Sequence, residues 1–546
     1  MLENYISKYE KDCQQYKKVE GLRFGNEVAG TLKVIREEKE IYKDYVSQNA
    51  IDTGYKLERI MKDAWTDVKE SVIRMIKEEI PLEYPYVTVW WYSVLLGIMN
   101  DASLFKEFVF YVRRNRRVFS ANTQFYLYYQ IKSLAFRFSE LDDSSTKEEI
   151  WHFYKEIVEE FANEMCTSLR NIPHSERNKN LILVITEQFI SIQHGPTKTA
   201  LDRCKILIDK MGKEVLLLNT AEVLSNVGQI PFLNMVQGSY IPKKMWEYQQ
   251  IWKETVVPYY QCANNMPNVR ELDGLLQEIR EAAPEYVVAI GGSSILANLV
   301  NKMIPVITVG LGPADLEVTT TKYQTLSRKC TESDRRLLGS MGYTENHIIE
   351  SIFTSSLKPQ TEKITRKEVG ISDEKFLIIV VGARLDDEVT DEFLSMLNGI
   401  IKHDMQIGFL GNFSKYESYL SKYPKLYDHA SNFGFCNDIL SRLEICDLYV
   451  NPLRKGGGTS CVEALFKGIP VVSVNYGDVS VNVGEEFCVK DYTEMQGKIL
   501  KYYDDKSYYA IMSEKAVKRA EILLDTESEF VRIMQEVDFR EQMEEK

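Results

Sequence analysis

Apolar positions recur at helical spacing through the first third of the chain. Phe105, Phe108, Val109 and Val112 fall on one face, as do Phe125, Tyr128 and Tyr129 with Ile131 and Leu134. Ser145 and Glu148 have the spacing of a capping box, which predicts a helix running on through Phe153, Ile157 and Phe161. The first 172 residues contain two prolines, Pro81 and Pro85, and the first 180 contain five of the chain's 29 glycines. So few breakers leave little room for repeated strand turns, and residues 1–175 are expected to form an all-α domain. Its aromatic stripes read first as helix packing, with an acceptor groove as the second reading.

From Asn180 the pattern changes to short apolar runs alternating with amphipathic segments. LILVIT, a helix over Thr197 to Met211, EVLLLNT, YVVAIGG with SSILANLVNK, and PVITVG predict a first Rossmann-like unit, placed at 176–365. A polar stretch around Lys358 to Ser372 separates it from a second, placed at 366–525. This one reads as FLIIVVGARL, a helix over Asp391 to Ile401, MQIGFLG, SNFGF, a helix over Asp438 to Cys446, and DLYVNP. Helices are expected over Tyr508 to Leu523 and Ser528 to Glu544, with 526–546 as a separate C-terminal element.

Composition narrows the function. The 546 residues, 44% hydrophobic, suffice for about three domains, and a net charge of −13 argues against a nucleic-acid partner, whose phosphates need clustered cations. The basic run Arg113, Arg114, Arg116 and Arg117 reads as a helix end, where cations meet the negative dipole; contact with an acidic acceptor or a membrane surface is the second reading. Nine cysteines form no C-x-x-C pair and no zinc-like cluster with the six histidines, so reduced thiols and no metal site are expected. The start MLENYISKYEKDCQQYKK lacks the apolar core of a signal peptide, and Val87 to Met99 is too short to span a bilayer, so a cytoplasmic location is expected.

The most informative stretch is 447–484, DLYVNPLRKGGGTSCVEALFKGIPVVSVNYGDVSVNVG. It reads as a strand, a glycine turn, a helix and a second strand. Gly456, Gly457 and Gly458 let the backbone turn tightly and approach a ligand, and Thr459 and Ser460 suit the helix N-cap. A helix opening there points amides and a positive dipole end at a phosphate or diphosphate. Glu463 lies one turn in, where an acid pairs better with hydroxyls such as a ribose diol than with the phosphates. The expected ligand is a nucleotide.

These residues resemble the donor-site signature of GT-B glycosyltransferases: an aspartate before a short strand, a proline, a Gly/Thr/Ser turn, Glu-Ala-Leu and Gly-x-Pro-Val-Val. The resemblance implies an α/β protein of the GT-B fold, two facing Rossmann-like domains preceded by the all-α domain. It implies that Glu463 holds the ribose of a nucleotide sugar and that Gly457, Gly458, Thr459 and Ser460 hold its diphosphate. Retaining members of one large branch carry a second glutamate eight residues before the first, where this chain has Lys455. Arg384, directly after FLIIVVGA, stands where many GT-B enzymes neutralise the leaving nucleotide, with a salt bridge to Asp386 or Asp387 as the alternative reading. Asn437 lies in the loop Gly434 to Asp438 that family members use to contact the base. The glycines at 291–292 and the GLGPAD segment at 310–315 are further candidates for the cleft. An all-α leader before GT-B is similar in layout to bacterial protein N-glycosyltransferases, which are inverting and metal-independent.

The expected activity is therefore transfer of a hexose or N-acetylhexosamine from a nucleotide sugar, with UDP as the expected carrier, to a protein or glycan acceptor. No cofactor is expected beyond that co-substrate. His194, in the loop after the first strand of the acceptor-side domain, is the candidate base; Lys198 nearby is a candidate for phosphate or acceptor charge, and Lys455 joins Arg384 as a candidate for leaving-group charge. Two rival readings share the scaffold: a sugar-nucleotide epimerase, and a non-catalytic subunit that binds glycan or stabilises a partner.

Overall fold

The computed structural model describes residues 21–38, 46–62, 64–138, 141, 143–192, 194–224, 248–263 and 265–544. Contacts divide it into two compact units, a smaller one built on the leader and a larger one holding both sheets. Seven α-helices make up the leader among the described residues: α1 (Gly21–Glu38), α2 (Gln48–Met61), α3 (Thr66–Lys77), α4 (Pro85–Ile98), α5 (Ala102–Arg114), α6 (Ala121–Arg137) and α7 (Ser144–Glu164). The aromatic stripes are core: Trp90, Trp91, Phe105, Phe108, Tyr128 and Tyr154 are fully buried, and the Tyr128 and Tyr154 rings lie 4.6 Å apart. α7 begins earlier than its capping-box spacing implied. Asp143 caps it by accepting from the Ser145 and Thr146 amides, because a carboxylate one residue outside the helix reaches two orphan donors. The basic run is a helix end, as read. Arg113 pairs with Glu149 at 2.6 Å and Glu156 at 3.1 Å, and Arg116 also meets Glu156. The apolar segment at 87–99 is the buried α4, and no described helix is long and apolar enough to cross a membrane.

The first α/β domain has eight strands: β1 (Asn178–Thr186), β2 (Glu214–Asn219), β3 (Gln249–Trp252), β4 (Thr255–Gln261), β5 (Pro284–Ile290), β6 (Val306–Val309), β7 (Tyr323–Leu326) and β8 (Ile348–Glu350). Their order is β3-β4-β2-β1-β5-β6-β7-β8, parallel throughout except for the β3–β4 hairpin. β5 is buried along its whole length and β1 from Ile182 to Thr186, as expected of strands covered on both faces, which is why they read as continuous apolar runs. The helix α8 spans Gly195–Asp209, two residues upstream of its expected range because Pro196 is accommodated at its first turn.

The second α/β domain holds β9 (Phe376–Gly382), β10 (Met405–Gly411), β11 (Ala430–Gly434), β12 (Leu448–Asn451), β13 (Val471–Val474) and β14 (Cys488–Val489) in the all-parallel order β11-β10-β9-β12-β13-β14. The chain order reverses between β9 and β12, so a crevice opens beyond their carboxyl ends. Three helices border that crevice or lie beside it: α9 (Leu385–Glu388), α10 (Gly458–Phe466) and α11 (Gly477–Val483). The helix expected over Asp438 to Cys446 is confined to Ile439–Leu443.

Two long helices end the described chain. α12 (Lys506–Leu524) lays Met512, Ala516, Ala520 and Leu523 into the core of the second domain. α13 (Thr526–Glu544) crosses back to the first. There Glu529 accepts from the Ile352 amide, Arg540 donates to the Ile348 carbonyl, and Glu541 takes up Lys322 and the Tyr323 hydroxyl.

Candidate donor site and cleft

β12 delivers the chain to the glycine turn. Gly457 is the N-cap of α10, with φ of 100° and ψ of 3°, a conformation that side-chain-bearing residues rarely adopt. Thr459 and Ser460 therefore do not cap the helix; both lie inside its first turn. The Ser460 hydroxyl donates to the Gly457 carbonyl at 3.1 Å and lies 2.9 Å from the Tyr449 hydroxyl. With no side chain occupying the cap, the first-turn amides of α10 are left to face a ligand.

Beneath the turn lies a residue that the sequence reading passed over. Arg454 is 6% exposed, and its guanidinium is held on all sides: Nε donates to Asn451 Oδ1 at 2.8 Å, Nη1 to Glu388 Oε2 at 2.5 Å, and Nη2 to the Val381 carbonyl at 2.6 Å and the Tyr449 hydroxyl at 3.2 Å. It ties the end of β9 to the end of β12. Gly457 and Gly382 are glycines for the same reason: a Cβ would stand 2.6 Å from Arg454 Nη2 at the first and 2.5 Å from Nη1 at the second. One signal was available, an arginine two residues before a glycine run and shortly after Asn-Pro.

Arg384 opens α9 at the carboxyl end of β9, as expected. It pairs with Glu388 at 3.0 Å, one helical turn away, rather than with Asp386. Asp386 is turned aside and accepts from the Lys415 amide. Glu388 thus joins the buried Arg454 to Arg384, whose side chain is 37% exposed. Both guanidiniums sit at the crevice between β9 and β12.

Glu463 is 6% exposed in α10, and burial pushes its carboxyl up to about 7 against the pull of Lys198 and Lys358. Lys198 comes from α8 of the first α/β domain, so the acid faces across the cleft. Burial lowers the Lys198 ammonium, and Glu463 is the largest influence holding it up. His194 is the N-cap residue of α8, with Nδ1 3.4 Å from Thr197 Oγ1. Burial, with Lys198 adding to it, pushes its imidazole down to about 4. The cleft therefore brings together His194, Lys198 and Glu463.

Lys455 is 9% exposed, and its ammonium is 3.5 Å from Asp315 Oδ2 on the loop after β6. The same loop touches α11, where Asp478 Oδ1 accepts from the Ala314 amide at 3.3 Å. Burial pushes the Asp478 carboxyl up to about 7, with Asp315 and Glu317 adding to it. The GLGPAD segment is thus the contact between the two α/β domains at this edge. Asn437 is exposed in the loop after β11, and its side chain makes no hydrogen bond among the described residues.

Residues 361–519 match the profile described as glycosyl transferases group 1. No curated protein sequence matches the chain. Among solved structures, a mutant O-GlcNAc transferase of Thermobaculum terrenum is similar over 95% of this chain and 98% of its own, with a TM-score of 0.50 and 10% identity. A glycosyltransferase from Rickettsia africae is similar over 67% of this chain and 99% of its own, with a TM-score of 0.50 and 13% identity. With two parallel sheets joined by a crossing C-terminal helix and an all-α leader before them, the chain has the GT-B fold, and its second α/β domain carries the glycosyl transferases group 1 match.

Proposed function

We propose that the protein transfers a hexose or N-acetylhexosamine from a nucleotide sugar, carried on UDP, to a protein or glycan acceptor. The observation that carries this reading is the pairing of an uncapped glycine-turn helix with a buried acid one turn in, inside the segment that matches the glycosyltransferase profile. The α10 amides take the diphosphate, and Glu463 takes the ribose diol. The acceptor hydroxyl attacks the anomeric carbon as the bond from that carbon to the diphosphate oxygen breaks. Its proton passes to His194, and a single displacement of this kind inverts the anomeric centre. Negative charge gathering on the leaving diphosphate meets the α10 amides, Arg384 and Lys455, a preorganised set that supplies electrostatic stabilisation without a metal.

His194 is neutral at physiological pH, the form a base needs, although an imidazole lowered to about 4 is weak. The negative charge of a donor bound in the adjoining cradle offsets Lys198 and raises the imidazole toward its working range. The test is a panel of nucleotide sugars offered to the pure protein, beginning with UDP-linked hexoses and UDP-N-acetylglucosamine, with and without glycan and peptide acceptors. Release of UDP that rises with acceptor supports transfer. Interconversion of the donor sugar without release would show an epimerase, and binding without turnover a non-catalytic subunit.

A further inference from the structure

A cavity of about 130 Å³ lies beside the donor helix, lined by Pro196, Lys198, Arg203, Thr354 and Ser355 and bounded by Thr459. Two buried polar atoms of its lining residues lack hydrogen-bond partners, Arg203 Nε and the Ser355 hydroxyl. A buried donor without a partner costs about 1 to 3 kcal/mol, so two on residues that line one cavity show that polar partners are missing around it. Arg203 is 5% exposed; its Nη2 donates to Thr354 Oγ1 at 3.2 Å, and its guanidinium lies 5.2 Å over the Phe530 ring. Lys198, 8% exposed, adds a second buried cation. The acid of the lining, Asp202, is already engaged by Trp252 Nε1 at 2.7 Å and Lys253 at 3.0 Å. The first turn of α8 also lines the cavity, and His194 leaves that helix without a side-chain cap. Cations, a hydroxyl and helix-terminal amides together are the chemistry of an anion site.

Size and location set the class of anion. About 30 Å³ holds one water, and whole small molecules need roughly 300 Å³ or more, so the cavity suits a single tetrahedral or carboxylate group. Apart from Thr459, its lining lies outside the matched donor segment 361–519. We propose that it is an anion subsite separate from the diphosphate cradle, taking the phosphate or carboxylate of the acceptor, so that the preferred acceptor carries an acid group. This rests on the glycosyltransferase reading of the adjoining cradle.

The full chain, with UDP at saturation to fill the cradle, is titrated with inorganic phosphate by calorimetry. The expected result is saturable binding that Ser355→Ala and Arg203→Lys each weaken by about five- to a hundredfold, with UDP affinity changed less than twofold. Ser355→Ala keeps the test decisive if the buried Arg203→Lys variant does not fold. Glucose 6-phosphate, glucuronate and glucose then compete with phosphate: displacement by the first alone assigns a phosphorylated acceptor, by the second alone a carboxylated one. Absence of saturable phosphate binding, equal binding by Ser355→Ala, or equal competition by neutral glucose overturns the proposal. Phosphate binding lost in the variants, in a protein that binds no UDP, would instead keep the subsite and remove the donor reading.

Discussion

Gly457→Ala should be among the most damaging small substitutions in the second α/β domain. Two costs coincide at this position. The backbone sits at φ of 100°, and a left-handed conformation costs a residue with a Cβ about 1 to 2 kcal/mol. The new methyl would also stand 2.6 Å from Arg454 Nη2 and 3.0 Å from Cζ, so the guanidinium must move. It cannot move cheaply, because Glu388, the Val381 carbonyl, Tyr449 and Asn451 all hold it, and each hydrogen bond to a charged group contributes about 1.5 to 3 kcal/mol. Losing one such bond brings the total to about 3 to 5 kcal/mol, or about 6 to 20 °C in melting temperature for a domain of this size. Gly370→Ala is the control: its φ is 73°, but a Cβ there meets nothing within 4 Å, so only the backbone cost of about 1 to 2 kcal/mol applies. Thermal unfolding of both variants, followed with and without UDP, separates the two costs. In an Arg454→Met background, itself less stable because Glu388 loses its buried partner, Gly457→Ala should cost only the backbone's about 1 to 2 kcal/mol, since the clash has then gone. A Gly457→Ala protein no less stable than Gly370→Ala, with the same UDP affinity as the native chain, would refute the claim that Arg454 supports the turn.

What the sequence made legible, and what it hid, follows from the range of the interactions involved. Buried parallel strands announce themselves because both faces must be apolar, and FLIIVVG and LILVIT needed no tertiary context. The strand-turn-helix of the cradle is equally local, so Glu463 came out where the spacing put it, one turn inside α10. The strands β3, β4, β7 and β8 were not read, because QQIW, TVVPYYQ, YQTL and IIE are interrupted by polar residues or proline, or are too short, and do not stand out as apolar runs as the four-residue β6 and β12 do. Caps were misplaced where several oxygen-bearing residues stand together: Asp143 outcompeted Ser145, and Gly457 stood in for Thr459 or Ser460 because the turn needs its φ. The role of Arg454 was hidden for a different reason. Its partners Glu388 and Val381 lie more than sixty residues away, on the far side of the sheet's switch point. Arg384 was read correctly as a cation at a strand end, but the choice of Glu388 over Asp386 depends on Lys415 drawing Asp386 away.

Glu463→Ala should weaken UDP binding by about 1 to 3 kcal/mol, the cost of losing a charged hydrogen-bond partner, and calorimetry showing unchanged affinity in a folded variant would remove it from the ribose site. Turnover should survive EDTA, because the cradle offers amides and cations to the leaving group; loss restored by magnesium or manganese would show that a metal carries that charge. Asp478, raised from 3.8 to about 7, lends stability that is full below pH 4 and lost as pH rises through 7, so melting temperature should fall between about pH 4 and 7, and fall less in Asp478→Asn. The same slope in both proteins would mean that the α11 contact does not titrate. His194→Ala should cut turnover by about a hundredfold or more with UDP affinity nearly unchanged, since His194 contributes no side-chain cap to α8 and its loss should spare the fold. Because the imidazole lies near 4 in the free protein, the acid limb of kcat/KM should fall near pH 4 rather than 6.5, whereas diphosphate binding should move the limb of kcat upward. A variant that keeps near-normal turnover and the same acid limb would take His194 out of the chemistry and leave it as the residue that opens α8.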